Sequence, residues 1–86
     1  MKNITSDKLA EYVKAGIDTN EIARWLINCQ LNKHVPLNIT DLSDTAIVAD
    51  EMMAIVECIQ EGDYQDAINI AEDGAINILQ DEGFDV

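Results

Sequence analysis

The side chains with which this chain could do chemistry are carboxylates. It has 17 Asp and Glu residues in 86. Eight of them, Asp50, Glu51, Glu57, Glu61, Asp63, Asp66, Glu72 and Asp73, fall within two stretches of helical periodicity. Carboxylates at that density can hold a hard cation, move protons or present a negative surface to a cationic partner. A calcium loop needs oxygen ligands at positions 1, 3 and 5, glycine at 6 and glutamate at 12. Aligning such a loop on Gly74 puts Ala71 at position 3 and Gln80 at position 12, and Gly62 and Gly83 fit no better. No metal site or cofactor is therefore expected. His34 stands beside Lys33 and Pro36 with no partner identifiable by spacing, so it reads as a solvated loop histidine. Cys29 and Cys58 have no histidine signature near them. Glycine-rich phosphate loops and serine nucleophile motifs are missing. The expectation is a protein that is not an enzyme.

Surface presentation remains, and the charge distribution favours it. Lys2, Lys8, Lys14, Arg24 and Lys33 all precede Pro36, together with only four acids, Asp7, Glu11, Asp18 and Glu21. Residues 37–86 hold the other 13 acids and no base, within a net charge of −12. Like charges one helical turn apart cost a few tenths of a kcal/mol each, so this half works against its own folding. A solvated, solubilising surface is the plain account. An anionic surface for a basic protein is the functional one. Fifty residues without a single lysine or arginine favour the second.

Positioning these groups falls to helices. One domain is expected from the length, with roughly 60–65% of the unfolded surface buried. Aromatics are limited to Tyr12, Trp25, Tyr64 and Phe84, so the core must be aliphatic. A first helix starts at Thr5 or Ser6, carries Leu9, Tyr12 and Val13 on one stripe and stops at Gly16. A second opens on Asp18 with Glu21 three residues on, a capping-box variant. Its face of Ile22, Ala23, Leu26, Ile27 and Gln30 points inward, with Trp25 and Cys29 beside it. Pro36 bars its continuation. Residues 34–40 read as an extended loop able to pack through Val35, Leu37 and Ile39. A third helix begins between Thr40 and Ser43, with apolar positions Ala46, Ile47, Ala49, Met52, Met53, Ile55, Val56 and Ile59, and Gly62 ends it. Asp63 caps a fourth helix reaching Gln80, whose inward side is Ala67, Ile68, Ala71, Ala75, Ile78 and Leu79. Ala67, Ala71 and Gly74 form a small-residue strip that admits a close neighbour. Residues 81–86 are a short tail whose Phe84 can fold back over the core. The fold class is all-α, a compact four-helix bundle or orthogonal array. It comprises a near-neutral pair at 5–33, a loop, and an acidic pair at 41–80. No run approaches the ~20 apolar residues of a membrane span, and the first residues do not resemble a signal peptide. The two cysteines can form a disulfide or remain buried thiols. An intracellular, cytoplasmic setting favours the thiols.

Two segments resemble known patterns. Residues 9–26, with Gly16, Glu21, Ile22, Ala23 and Leu26, resemble the first two helices of resolvase-like helix-turn-helix domains. That resemblance implies a DNA-binding regulator with a basic recognition helix to follow. Here Ile27-Asn28-Cys29-Gln30-Leu31 continues the same helix instead. Residues 61–79, through Gly62, Asp63, Tyr64, Ala67 and Ile68, resemble one tetratricopeptide turn and helix. A solenoid needs about three repeats. In size and charge alone the chain resembles small acidic inhibitors encoded by phages and mobile elements, of the anti-CRISPR and anti-restriction kind. Some of those mimic nucleic acid. The resemblance implies work in a host cytoplasm.

The leading expectation is a non-enzymatic inhibitor or regulator. Its acidic face (the eight carboxylates named above) would dock on a basic, nucleic-acid-handling protein, and Trp25, Tyr64, Met52 and Met53 are candidate apolar anchors. The chain would not itself bind nucleic acid or membrane. The alternatives are a helix-turn-helix regulator and an assembly adaptor, a homodimer burying the small-residue strip of the fourth helix.

Overall fold

The computed structural model describes residues 4–42 and 45–86. Four helices run through them: α1 (Ser6–Lys14), α2 (Thr19–Asn32), α3 (Thr45–Gln60) and α4 (Tyr64–Asp81). No strand occurs among the described residues, so the fold is all-α. The chain forms two helical hairpins, and α4 contacts each of the other three helices. The radius of gyration, 12.1 Å, is close to the ~12 Å expected of a folded chain this long.

Local chemistry explains the helix ends. Thr5 caps α1, its hydroxyl accepting from the Lys8 amide at 3.2 Å. Asp18 caps α2, Oδ2 accepting from the Glu21 amide at 3.4 Å. The reciprocal half of the expected capping box does not form, because the Glu21 carboxylate turns to Arg24 at 3.1 Å. Gly16 and Gly62 close α1 and α3 with φ of 80° and 82°, a conformation that costs a residue with a Cβ about 1–2 kcal/mol. At both ends a pair of crossed bonds caps the last carbonyls. Ile17 and Gly16 donate to Tyr12 and Val13, and Asp63 and Gly62 donate to Cys58 and Ile59. Asp63 occupies the cap position of α4, but its side chain makes no cap bond, so the expected cap is backbone-only.

The segment after α2 departs from the expected extended loop. Residues 39–41 form a single 3-10 turn, closed at its start by a reciprocal pair: the Thr40 amide donates to Asn38 Oδ1 and the Asn38 amide to Asp41 Oδ2. Two asparagines of α2 bind this segment. The Ile39 amide donates to Asn28 Oδ1 at 2.8 Å, and Asn32 Nδ2 donates to the Leu37 carbonyl at 3.3 Å. This turn uses Thr40, so α3 starts later than expected, at Thr45. Ser43, the other expected cap, lies outside the described residues. Val35, Leu37 and Ile39 do pack partly against the core.

The core is aliphatic. Its largest fully buried side chains are Leu9, Ile22, Leu26, Ile27, Leu31, Ile55, Ile78 and Leu79. Every inward position expected of α2 and α4 is buried, Gln30 included. No buried side-chain nitrogen or oxygen lacks a partner among the described residues. Ala67, Ala71 and Gly74 are buried inside the chain. The strip that a homodimer would have used is therefore already covered by the chain's own helices. Phe84 does not fold over the core: it stays 39% exposed. The tail is held instead by Phe84 N donating to Leu79 O and Gln80 Nε2 donating to Val86 O. Cys29 and Cys58 are thiols, with no disulfide between them.

Candidate protein-binding surface

Helix α3 does not behave like α2 or α4. Of the three long helices it is the most apolar in composition. Yet only Val48, Ile55 and Ile59 are buried, against seven residues on each of the others. Of its expected apolar positions, Ala46, Ala49 and Met53 are exposed, while Ile47, Met52 and Val56 are half-buried. Val48, which the apolar pattern did not single out, is the inward residue of the first turn. Helical geometry accounts for the split. Ala49, Met52, Met53 and Val56 fall at i, i+3, i+4 and i+7, a stripe beside the one that Val48, Ile55 and Ile59 send into the core. With Asn20 of α2 and Glu57 they line an open depression of about 340 Å³. Met53 is the most exposed large hydrophobic side chain among the described residues, at 62%.

The eight candidate acids do not share one face. Seven are exposed, and Glu51 is half-buried. Glu51 bends over α4, where a Cβ on Gly74 would come within 2.5 Å of its Oε2. The absence of a side chain at Gly74 thus makes room for a carboxylate. Asp50 and Glu57 lie on the outer side of α3, one turn either side of Met53. Glu57, Glu61, Asp63 and Asp66 gather around the α3–α4 turn. Their field is felt by Cys58, whose thiol is pushed above its usual value first by burial and then by Asp66, Asp63, Glu61 and Glu57. Asp73 repeats the position of Asp66 two turns along α4. Glu72 is turned the other way and lines a separate depression with Gln30, Lys33 and Ile4. None of these eight acids makes an ion pair among the described residues. Lys8 and Arg24 pair instead within the first hairpin, with Glu11 at 3.2 Å and Glu21 at 3.1 Å.

The two aromatic anchor candidates are engaged elsewhere. Trp25 is half-buried and meets Tyr12 edge-on, ring centres 5.7 Å apart and planes 79° apart. Tyr64 is half-buried against the core at the start of α4. Met53 and Met52 are the anchors that the fold leaves available. Their signal in the sequence was the surplus of apolar positions on α3, more than one face of a helix can send into a core this small.

No group of three or more metal-type side chains occurs among the described residues. No described helix is long and apolar enough to cross a membrane. The helix-turn-helix resemblance stops at Leu26, because α2 runs on to Asn32 and leads into the 3-10 turn. The next helix, α3, has no basic residue to place against phosphate. No protein-family model, no curated protein and no solved structure matches the chain.

Proposed function

We propose that this chain is a non-enzymatic inhibitor or regulator that acts in the cytoplasm by presenting an anionic helical surface to a basic, nucleic-acid-handling protein. The observation that carries this reading is the segregation of charge. The 13 acids of residues 37–86 have no base among them, and Asp50, Glu57, Asp66 and Asp73 of α3 and α4 are exposed and make no ion pair among the described residues. Such a surface costs folding free energy and speeds encounter with a positively charged partner. A surface of this sign and density can also stand in for a phosphate backbone in a basic groove. The analogy with small acidic inhibitors of phages and mobile elements rests on that property and on size.

The test is capture from a cell lysate on the immobilised chain at low salt. The expected catch is a basic nucleic-acid-binding protein, released by about 0.5 M salt, where the screening length is only a few Å, and displaced by duplex DNA. A catch that is neutral or acidic, or one that salt and DNA leave in place, overturns the reading.

A further inference from the structure

Charge explains encounter, but it does not explain why the acidic hairpin also carries, in Met53, the most exposed large apolar side chain of the described residues. We propose that the depression along α3 is a docking groove for one cationic amphipathic helix of the partner protein, which seats its apolar stripe on Met52, Met53, Val56 and Ala49. The inference rests on the reading of the chain as an anionic binding module, and it names where on that module the contact is made.

Three observations carry it. First, α3 has two apolar stripes: the core buries one and takes the second only in part, through Met52 and Val56. The second is continuous over two turns and forms the floor of an open trough of about 340 Å³. Its spacing, i, i+3, i+4 and i+7, is the pattern by which helix faces meet. Second, two methionines form its centre. Methionine is flexible and polarisable and adapts its shape to an incoming apolar side chain, which suits a surface more than a uniquely packed core. Third, the rim selects the sign of the occupant. Asp50 and Glu57 flank Met53, and neither α3 nor α4 holds a base to neutralise them. Arg24, one turn beyond Asn20 on the opposite wall, is already paired with Glu21. Lysines or arginines bordering the apolar stripe of an entering helix would meet carboxylates on leaving water. A second copy of this chain is the poorer occupant, since pairing α3 with α3 would bring Asp50 and Glu57 of both copies together and unite two chains of charge −12.

The experiment uses the full chain and two synthetic peptides of one composition. One peptide is a helix with leucines at i, i+3, i+4 and i+7 and lysines on its flanks. The other is a scramble without an apolar stripe. Affinity is read by fluorescence polarisation and location by methyl NMR. The expected result is preferential binding of the amphipathic peptide, with shifts of the Met52 and Met53 methyls. Met53→Ser should weaken that peptide about tenfold, a hot-spot-sized loss, and leave the scramble unchanged. Met53 is exposed enough for the variant to fold, and Val13→Ser, at an exposed apolar position of α1 away from the groove, serves as the matched control. Equal binding of both peptides, insensitive to Met53→Ser, would overturn the groove and leave the anionic-surface reading standing. Self-association abolished by Met53→Ser would overturn the choice of occupant in favour of a second copy. Failure of both peptides to bind at low salt would sink the groove and the broader reading together.

Discussion

Helices α2 and α3 occupy corresponding places, one in each hairpin, and they spend their apolar residues differently. In α2, seven of 14 residues are buried, and the helix forms one wall of the core. In α3, three of 16 are buried, although its composition is the more apolar. The hairpins also differ in charge: the first pairs two of its four acids with its own bases, and the second contains no base of its own. Helix α3, which buries fewer residues than α2 or α4, therefore carries the larger unspent surface, both apolar and anionic. On the proposed reading, stability and recognition are separated in space, with α2 and α4 serving mainly the first and α3 mainly the second.

The sharpest way to break that division is to truncate one side chain on each helix. Leu26→Ala removes a side chain that is 1% exposed and should cost about 2–5 kcal/mol in urea unfolding. Met53→Ala should change stability by no more than about 0.5 kcal/mol, as surface substitutions do. Similar losses at the two sites would mean that Met53 is structural and that α3 has no spare face.

The glycine turns give the next largest effect, and here the two hairpins should agree. A Cβ at Gly16 or Gly62 meets nothing within 4 Å, so the cost of alanine is backbone strain alone. Each substitution should lose about 1–2 kcal/mol. A clearly smaller loss at Gly62 would show that the acidic hairpin tolerates a reshaped turn that the first does not.

Gly74 tests how α3 is seated on α4. Alanine in mid-helix gains up to ~1 kcal/mol over glycine, but here its Cβ would strike the Glu51 carboxylate. In a Glu51→Ala background, Gly74→Ala should show the full gain. In the unaltered chain it should show less, because Glu51 must swing away. A double-mutant cycle with no coupling would mean that the two residues do not touch in solution.

The helices, the glycine stops at Gly16 and Gly62 and the inward faces of α2 and α4 were legible in the sequence, because each follows from a local rule of periodicity or capping. Three features were not. The start of α3 was misplaced because Asn28 and Asn32, on a different helix, hold residues 37–39 in a turn that consumes Thr40. The acids were grouped into one face because period shows only which residues share a side of a helix, not what packs on it. Glu51 and Glu72 therefore turn away from the surface they were assigned to. Trp25 and Tyr64 were chosen as anchors by residue type. Tyr12 and the core claim them, and of the four anchor candidates Met52 and Met53 are the two that the fold leaves available.

The smallest effect expected concerns the charge that gathers at the tip of the acidic hairpin, with Cys58 as its probe. Its thiol is raised chiefly by burial and further by Asp66, Asp63, Glu61 and Glu57. Both causes disfavour the thiolate, so the native state holds this proton more tightly than the unfolded chain. The stability this gives is complete below the unfolded thiol value of about 8.5 and is lost as pH rises through the native one. In a Cys29→Ala background, where Cys58 is the only thiol, titration by thiolate absorbance should show a midpoint above that of the unfolded chain. Asp66→Asn, or about 0.5 M salt, should lower the midpoint and leave the part due to burial. The matching loss of stability at alkaline pH, which sets in at the unfolded value, should then be smaller and end at a lower pH. A midpoint that neither salt nor Asp66→Asn moves would mean that the acids at the turn do not act together on their surroundings. The encounter field would then have to come from the sides of α3 and α4, where Asp50 and Asp73 lie.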